Sequence, residues 1–584
     1  MSPAIPPPVT TMDAISHLRA VGVHPATSTP RTYQSPSGSF GAVTGDLAAP
    51  GPVWDDRRLV ESHEEEGEHM RVPLTIGDFL DRADLVYGDR VAIVDEPQAQ
   101  GSLGSITYHE MHARARGMAR ALDAMGVAAG DRIALVSPNS GRFLISYFGV
   151  SAYGRVLVPI NFRLNADEVG YIVEHSGATV LLVDPELDEQ LAAVRAPVRI
   201  VLDGADDAEL FAPAPPGGGP REWPPDEDST CSINYTSGTT ARPKGVELTH
   251  RTCWLNAASF GWHTTVTDRD ALLHTLPMFH CNGWGMPYAV TAMGGRHVVL
   301  RKVDGEEILR RIESEGVTLL CGAPAVVAAI LTAAADRVAH GRQVPGRGAV
   351  RMVVAGAPPP SKTIERIEAE LGWEFIQIYG LTETAPLLTV NRAPGEWDGL
   401  DAAERSVRLA RAGVPAVGVR VRIDDEGEVL ARSNHVFAGY WNQPEESATA
   451  LAGGWFHTGD GGYLDGPYTV IADRKKDVII TGGENVSSIE VEDCLYQHPA
   501  VAEVAVIGVP DDKWGETIKA LVVAHAGATV TEDELIEHCR ARMAHFKAPT
   551  SVEMRDTLVR TATGKLQKYK LRQPYWEGRH RAVN

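Results

Sequence analysis

The 584-residue sequence has few cysteines, no excess of basic residues and no long apolar run. Its six cysteines are scattered without a CxxC pair, which argues against a disulfide framework or a zinc site and favours a reducing compartment. The formal net charge of −21 argues against nucleic acid as the main partner, because phosphate backbones require a basic surface. No uninterrupted apolar stretch approaches the roughly 18 residues of a membrane-spanning helix. These absences predict a cytoplasmic protein without an integral membrane segment.

The chain is too long for one simple core, so we predict at least two domains. Residues 1–69 are rich in Pro, Ser, Thr, Gly and charge, with little hydrophobic periodicity, which predicts a disordered leader without the features of a secretory signal. A second interpretation is that the acidic run before Met70 is a translated ribosome-binding site and that Met70 is the true start. The sequence leaves both interpretations open.

Beyond the leader, short apolar runs alternate with amphipathic segments. The runs 132–137 and 156–160 predict buried strands, and 142–153 between them predicts a helix. This alternation is typical of parallel sheets built from βαβ units, so we predict an α/β protein. Between about 413 and 472, period-two alternation with frequent Gly turns predicts a small antiparallel β unit. The segment after residue 473 predicts a compact α+β tail.

A loop rich in glycine and hydroxyl groups between Tyr235 and Gly245 carries the most information. Glycine lets backbone N–H groups approach an oxyanion, hydroxyls add donors, and a lysine adds positive charge. The loop is not a Walker A motif, because Lys244 precedes Gly245 and no Gly-Lys-Ser/Thr triad exists. Taken alone, its composition would also suit a surface loop. The candidate phosphate-binding residues are Thr236, Ser237, Gly238, Thr239, Thr240 and Lys244.

This loop resembles the signature of the adenylate-forming superfamily, which includes acyl-CoA synthetases, peptide-synthetase adenylation domains and luciferase. Further motifs follow in the family's order from Met70 to the C-terminus. The resemblance implies an N-terminal AMP-binding domain at 70–473, made of two α/β subdomains and a small β-barrel-like subdomain. It also implies a hinge at 474–476 and a small mobile α+β C-terminal domain at 477–584. One departure is Ala241, where many members have Gly, which puts the stiffness of the loop in question.

The resemblance assigns ATP and Mg²⁺ contacts to the Tyr-Gly-Leu-Thr-Glu motif that ends at Glu383. Tyr379 would stack on adenine, and Thr382 would bond the α-phosphate. Glu383 would supply the hard oxygen that Mg²⁺ prefers, with Thr236 as a second metal contact. The remaining nucleotide contacts implied are Gly356, Ala357, Pro358, Gln377 and Gly380.

Three motifs nearer the C-terminus complete the implied catalytic set. Asp460 would accept both ribose hydroxyls through its two carboxylate oxygens, and Arg474 would make a second ribose or phosphate contact. Lys476 matches the hinge of the family, and Lys565 matches its catalytic lysine. A carboxylate attacking an anionic phosphate needs a mobile positive charge, and the ammonium of a lysine provides one.

Members of the family rotate the C-terminal domain after adenylation, so that one pocket serves two half-reactions. The segment containing Gly482, Gly483 and Glu484 resembles that of thioester-forming members, where glycine lets pantetheine pass the backbone. Only 19 residues follow Lys565, too few for a carrier module, which favours free coenzyme A as the acceptor. A homodimer is compatible with the sequence, which does not determine the oligomeric state.

The acyl pocket is implied by a match around His280, Asn282, Gly283 and Trp284. His280 would gate or orient the groups where the acyl chain meets the thiol, although a packed structural histidine would explain it equally. The motif most resembles medium-chain fatty-acyl and methylthiopropionate-type ligases, so we expect a small apolar carboxylic acid. The alternatives are an enzyme that passes the adenylate to an amine, a carrier protein or a small anion, and a catalytically inactive nucleotide-binding protein.

Overall fold

A computed structural model of the chain describes residues 72–236, 242–474, 477–481, 484–511, 513–560 and 566–577. The predicted leader at 1–69 and the alternative start at Met70 lie outside these residues. No helix in the described ranges is long and apolar enough to cross a membrane.

Helices and strands alternate through most of the chain. The helices are α1 Gly77–Tyr87, α2 Tyr108–Ala124, α3 Gly141–Ser151, α4 Ala166–Ser176, α5 His250–Thr264, α6 Cys281–Trp284, α7 Met286–Met293, α8 Gly305–Glu315, α9 Pro324–Ala339, α10 Ser361–Arg366, α11 Ala402–Leu409, α12 Pro444–Ala450, α13 Ser488–Tyr496, α14 Glu532–Arg540 and α15 Lys568–Trp576. The strands are β1 Val91–Val94, β2 Ser105–Thr107, β3 Arg132–Val136, β4 Val156–Ile160, β5 Ala178–Val183, β6 Val198–Val201, β7 Thr230–Thr236, β8 Lys244–Thr249, β9 Ala271–His274, β10 Arg296–Val299, β11 Leu319–Gly322, β12 Arg351–Val354, β13 Glu374–Gly380, β14 Leu387–Arg392, β15 Val414–Pro415, β16 Arg420–Ile423, β17 Glu428–Arg432, β18 Gly439–Tyr440, β19 Phe456–Asp465, β20 Tyr468–Arg474, β21 Ile479–Thr481, β22 Glu484–Val486, β23 Val501–Asp511, β24 Gly515–Ala524 and β25 Ser551–Met554.

Local sequence sets several helix ends. Thr107 and Glu110 form a capping box at the start of α2, and Asn165 and Glu168 form another at α4. Each box satisfies two backbone N–H groups that the first helical turn leaves unpaired. Gly177 ends α4 in the left-handed conformation, which glycine adopts without steric cost.

The first sheet has seven strands in the order β18-β8-β7-β4-β3-β5-β6. Strands β3 to β7 pair in parallel, and β8 and β18 add antiparallel pairs at one side. Every residue of β4 and of α3 is buried, as expected for a parallel sheet covered on both faces.

The second sheet has nine strands in the order β15-β14-β13-β12-β11-β9-β10-β1-β2. Its central strands are parallel, with antiparallel strands at both ends. The two sheets and the helices around them are the predicted pair of α/β subdomains.

Two smaller sheets follow. A four-stranded antiparallel sheet, β16-β17-β19-β20, corresponds to the predicted small β unit. The C-terminal part contains β21 to β25 with helices α13 to α15, and β23 and β24 form a long antiparallel hairpin, in agreement with the predicted α+β tail. The fold class is thus confirmed. The domain limits at 473 and 477 stay predictions, and β20 ends at Arg474.

Candidate active site

The predicted phosphate loop connects the antiparallel strands β7 and β8. Thr236 pairs with Lys244 across the two strands, and Tyr235 pairs with Gly245. A Cβ atom on Gly245 would lie 2.8 Å from the Ile233 side chain, so glycine permits close packing at this point. The pairing brings the backbones of Thr236 and Lys244 together at the mouth of the loop. The other predicted loop residues, Ser237, Gly238, Thr239, Thr240 and Ala241, lie outside the described residues.

Lys244 and Glu383 are linked through Tyr440, a residue that sequence analysis did not identify. The Lys244 ammonium lies 4.8 Å from the centre of the Tyr440 ring, and the Tyr440 hydroxyl donates to Glu383 Oε1 at 2.9 Å. Burial and the neighbouring carboxylate of Glu383 raise the pKa of Tyr440, so its hydroxyl stays a donor. Tyr440 reaches the site because β18 pairs with β8, a long-range contact without a local sequence signal.

The structure brings together the residues predicted to contact adenine and ribose. The Tyr379 hydroxyl donates to Asp460 Oδ2 at 2.9 Å. Asp460 is 7% exposed, and its backbone N–H donates to the Thr458 hydroxyl at 3.1 Å. Asp460 also pairs with Arg474 across β19 and β20, although the Arg474 side chain is outside the described part of the structure. The carboxylate is therefore held in place beside an aromatic ring.

The predicted adenine-edge loop, Gly356 to Pro358, follows β12 directly. Gly356 has a φ of +88°, which favours glycine, and a Cβ atom there would meet nothing within 4 Å. Beside the loop, Gln377 on β13 pairs with Val354 and is buried. Its Oε1 atom has no hydrogen-bond partner among the described residues. A buried acceptor without a donor is costly, so this amide suits a ligand that donates a hydrogen bond.

The predicted catalytic segment Thr382–Thr384 forms a single 3₁₀ turn after β13. Gly380 allows this turn to form, since a Cβ atom there would lie 1.5 Å from the Pro386 carbonyl oxygen. Thr382 is buried, and the Glu383 carbonyl accepts from the Phe437 N–H at 2.7 Å. The turn therefore holds Glu383 in a position where its carboxylate accepts the hydrogen bond from Tyr440.

The predicted acyl-pocket motif has an unusual backbone. Five consecutive residues have positive φ: Cys281 at 45°, Asn282 at 50°, Gly283 at 61°, Trp284 at 60° and Gly285 at 75°. The short element α6 therefore winds in the left-handed sense. Its three non-glycine residues each cost about 1–2 kcal/mol in this conformation, and such strain often marks functional sites.

Buried side chains hold this left-handed turn in place. Asn282 Oδ1 accepts from the Ser232 hydroxyl at 3.1 Å and from Asn234 Nδ2 at 3.2 Å, and all three residues are at most 2% exposed. Asn256 Nδ2 donates to the Trp284 carbonyl at 3.2 Å. Because Ser232 and Asn234 belong to β7, the acyl motif is tied to the strand that leads into the phosphate loop. The sequence does not indicate these contacts of β7, which are visible only in the tertiary structure.

His280 precedes the turn, and its side chain is half-buried near the Phe279 ring, with a centroid distance of 6.5 Å. The buried Asn282 amide faces β7, and Trp284 is 3% exposed in the core. The structure thus gathers the acyl motif into one turn beside β7, the strand that leads into the predicted phosphate loop.

The predicted hinge and thiolation residues are only partly described. Lys476, Gly482, Gly483 and Lys565 lie outside the described residues. Glu484 is described, is exposed, and pairs with Thr481 across β21 and β22. The backbone of Arg560 pairs with that of Leu566 on either side of 561–565, the segment that contains Lys565.

Two family models match the chain. Residues 80–441 match the model of the AMP-binding enzyme family, and residues 490–565 match that of the AMP-binding enzyme C-terminal domain. The chain therefore belongs to the AMP-binding enzyme family, and the resemblance drawn from the motifs is confirmed.

Known relatives and solved structures agree with this assignment. A 2-methylpropanoate–CoA ligase of Humulus lupulus is 37% identical over 541 residues, covering 86% of this chain and 95% of the relative. A 4-hydroxybutyrate–CoA ligase of Metallosphaera sedula is 37% identical over 525 residues, covering 85% and 93%. The crystal structure of an anthranilate CoA ligase with anthranoyl-AMP superposes with a TM-score of 0.77 at 26% identity, covering 87% and 98%. The chain is thus similar over most of its length to enzymes that carry the name CoA ligase.

Proposed function

We propose that the chain is an ATP-dependent acyl-CoA ligase. A carboxylic acid and MgATP give acyl-AMP and pyrophosphate, and coenzyme A then gives acyl-CoA and AMP. The hydrogen bond between Tyr379 and Asp460 carries the proposal, because it joins the aromatic ring expected under adenine to the carboxylate expected on ribose. The named activities of the relatives support the same reaction.

In the first half-reaction, a carboxylate oxygen of the acid attacks the α-phosphorus of ATP. A P–O bond forms, and the bond to pyrophosphate breaks. Thr236 and Lys244 at the mouth of the loop are suited to hold phosphate oxygens, with Thr382 nearby. Lys565 would neutralise the charge that develops on the transferred group, as the order of motifs implies.

Magnesium fits the donor set at Glu383. Mg²⁺ in nucleotide sites commonly takes one or two protein ligands and otherwise phosphates and water. Glu383 and Thr236 would hold the ion, which would offset phosphate charge. Tyr440 orients the Glu383 carboxylate for this role.

In the second half-reaction, the thiol sulfur of coenzyme A attacks the acyl carbonyl of acyl-AMP. A C–S bond forms, the C–O bond to AMP breaks, and the thiol proton is released. Rotation about Lys476 would bring Gly482, Gly483 and Glu484 to the thiol, and His280 would orient the acyl group. The exposed side chain of Glu484 is compatible with contact to a ligand entering from solvent.

The acid we propose is apolar and of limited length, such as a medium-chain acid. Buried aromatic side chains lie in and after the left-handed turn: Trp284 belongs to it and is 3% exposed, and Tyr288 on α7 is 1% exposed. The hydroxyl of a third, Tyr147, donates to the Met278 carbonyl at 2.5 Å. This rigid aromatic surrounding restricts the space for a long chain. A cytoplasmic location and a homodimer also stay predictions, and light scattering of the purified protein would measure the oligomeric state.

The test is pyrophosphate release from ATP across a panel of carboxylic acids, with and without coenzyme A, with products identified by mass spectrometry. We expect acyl-CoA and AMP with short and medium apolar acids. Lys565→Ala should abolish acyl-adenylate formation and spare thioester formation from preformed acyl-adenylate. Accumulation of acyl-AMP without thioester would contradict the proposal and would favour a different acceptor, such as an amine, a carrier protein or a small anion.

A further inference from the structure

A buried polar cluster lies where the four-stranded sheet meets α13. The Ser488 N–H donates to Asp473 Oδ2 at 3.0 Å, and the Ser488 hydroxyl donates to the same carboxylate. The Lys568 ammonium donates to the Ser488 hydroxyl and pairs with Glu492 Oε1 at 2.8 Å. The Lys568 and Glu492 side chains are only 12% and 13% exposed. We call Asp473, Ser488, Glu492 and Lys568 the hinge cluster.

The hinge cluster joins three parts of the chain that the proposed mechanism requires to act together. Asp473 lies on β20, just before the proposed hinge at 474–476, whereas Ser488 and Glu492 lie after it on α13. Lys568 begins α15, three residues after Lys565. The Lys568 ammonium therefore holds α13 after the hinge, and Ser488 links it to Asp473 before the hinge.

The charges in this cluster depend on one another. Burial alone would lower the pKa of Lys568, but the carboxylates of Glu492, Asp473 and Asp477 outweigh it and raise the pKa. Lys568 is therefore an ammonium ion held by carboxylates in a site with little water. Removing one partner of such a buried pair leaves an uncompensated charge.

We propose that Lys568 is a positioning residue that sets the orientation of the C-terminal domain, with Ser488 as the link to Asp473. The proposal rests on the proposed function, since it needs the two half-reactions and the hinge.

Rotation about the hinge must break part of the cluster. The bonds between Ser488 and Asp473 join groups on opposite sides of Lys476, so a change of domain orientation separates them. The pair of Lys568 and Glu492 lies wholly after the hinge and moves with the C-terminal domain. The cluster therefore stabilises the present orientation, and the pair of Lys568 and Glu492 keeps α15 attached to α13 in either orientation.

A second contact crosses the same boundary. The Ser361 N–H on α10 donates to Asp493 Oδ1 on α13 at 2.9 Å. This contact joins α13 to α10 of the large N-terminal domain and does not involve Lys568. The bond between Ser361 and Asp493 still holds the C-terminal domain in its present orientation when the hinge cluster is weakened. Variants of the cluster should therefore shift the balance between the two domain orientations without abolishing either one.

The experiment measures both half-reactions in Ser488→Ala and in the charge-balanced variant Lys568→Met/Glu492→Gln. ATP–pyrophosphate exchange reports adenylation, and thioester formation from preformed acyl-adenylate reports the second step. We expect the ratio of the two rates to change by about tenfold in the same direction in both variants, a size typical of coupling between sites. The half-reaction that loses rate is the one served by the orientation described above.

Lys547→Met is the matched control. Lys547 also pairs with a glutamate of α13, Glu490, at 2.7 Å, but it takes no part in the hinge cluster. Its ratio should equal that of the wild type. Equal loss of both half-reactions in the cluster variants, or an unchanged ratio in variants whose thermal unfolding matches the wild type, would overturn the proposal.

A structural measurement separates failure of this proposal from failure of the proposed function. Hydrogen–deuterium exchange of the first turn of α13 should increase in Ser488→Ala and stay unchanged in Lys547→Met, whatever acceptor the enzyme uses. Unchanged exchange would contradict the hinge cluster. If the wild-type enzyme forms acyl-AMP but no acyl-CoA, only the proposal that coenzyme A is the acceptor is contradicted.

Discussion

Replacing Tyr379 by phenylalanine keeps the ring that is expected to stack on adenine and removes only the hydroxyl bound to Asp460. A hydrogen bond to a charged group contributes about 1.5–3 kcal/mol. Because the Tyr379 side chain is half-buried, we take the lower end, which corresponds to roughly a tenfold loss of affinity. We therefore expect the KM for ATP to rise about tenfold in Tyr379→Phe, with kcat nearly unchanged.

The assay is ATP–pyrophosphate exchange at saturating acid over a range of ATP concentrations. Tyr463→Phe is the matched control, since Tyr463 lies on the same strand as Asp460 and is 56% exposed. An unchanged KM in Tyr379→Phe would refute the ribose assignment of Asp460. An equal fall in kcat without a change in KM would mean that the bond acts in the transition state instead.

Three further predictions concern the backbone, the turn and pH. Ser232→Ala removes the hydroxyl that donates to Asn282 without changing a left-handed residue, so we expect a loss of about 1 kcal/mol in urea unfolding, and no loss would contradict the anchoring. Gly380→Ala should yield little folded protein on size-exclusion chromatography, because a Cβ atom there would lie 1.5 Å from a carbonyl oxygen, and a normal yield would contradict that packing. Burial would lower the pKa of His112, but Asp81 and Asp84 outweigh it and raise the pKa. The stabilisation by His112 should therefore be full below a pH of about 6.5 and be lost as pH rises through the folded-state pKa. Thermal melts across pH should show this dependence in the wild type and lack it in His112→Gln, and an unchanged dependence in the variant would contradict the assignment.

Much of the fold follows from local sequence. The run 156–160 is continuous and apolar, and the structure has β4 at these residues because parallel strands are buried on both faces. Ends were less predictable: the helix predicted at 142–153 spans Gly141–Ser151, because the Ser140 side chain caps its start.

The candidate site was predictable where a motif is contiguous and not where the fold creates it. Tyr379 and Asp460 were each assigned from short motifs, but their contact depends on the tertiary structure, because β13 and β19 belong to different sheets. The sequence around Tyr440, Ser232 and Asn234 does not indicate their roles, because these arise from contacts with residues distant in the chain. The left-handed sense of α6 was equally hidden, because only one of its four residues is a glycine.

Because α6 is attached to β7, substitutions in α6 are expected to affect ATP binding, whereas substitutions in other parts of the acid site are not. Asn282 binds the strand that carries the phosphate loop, so changes there would disturb ATP binding and acid binding together. Tyr288 on α7 and Tyr147 on α3 contact each other, with ring centroids 5.5 Å apart, and neither hydrogen-bonds to β7 in the described contacts. New acid preferences could therefore be engineered, or could have arisen naturally, through α3 and α7 while the adenylation chemistry is left intact.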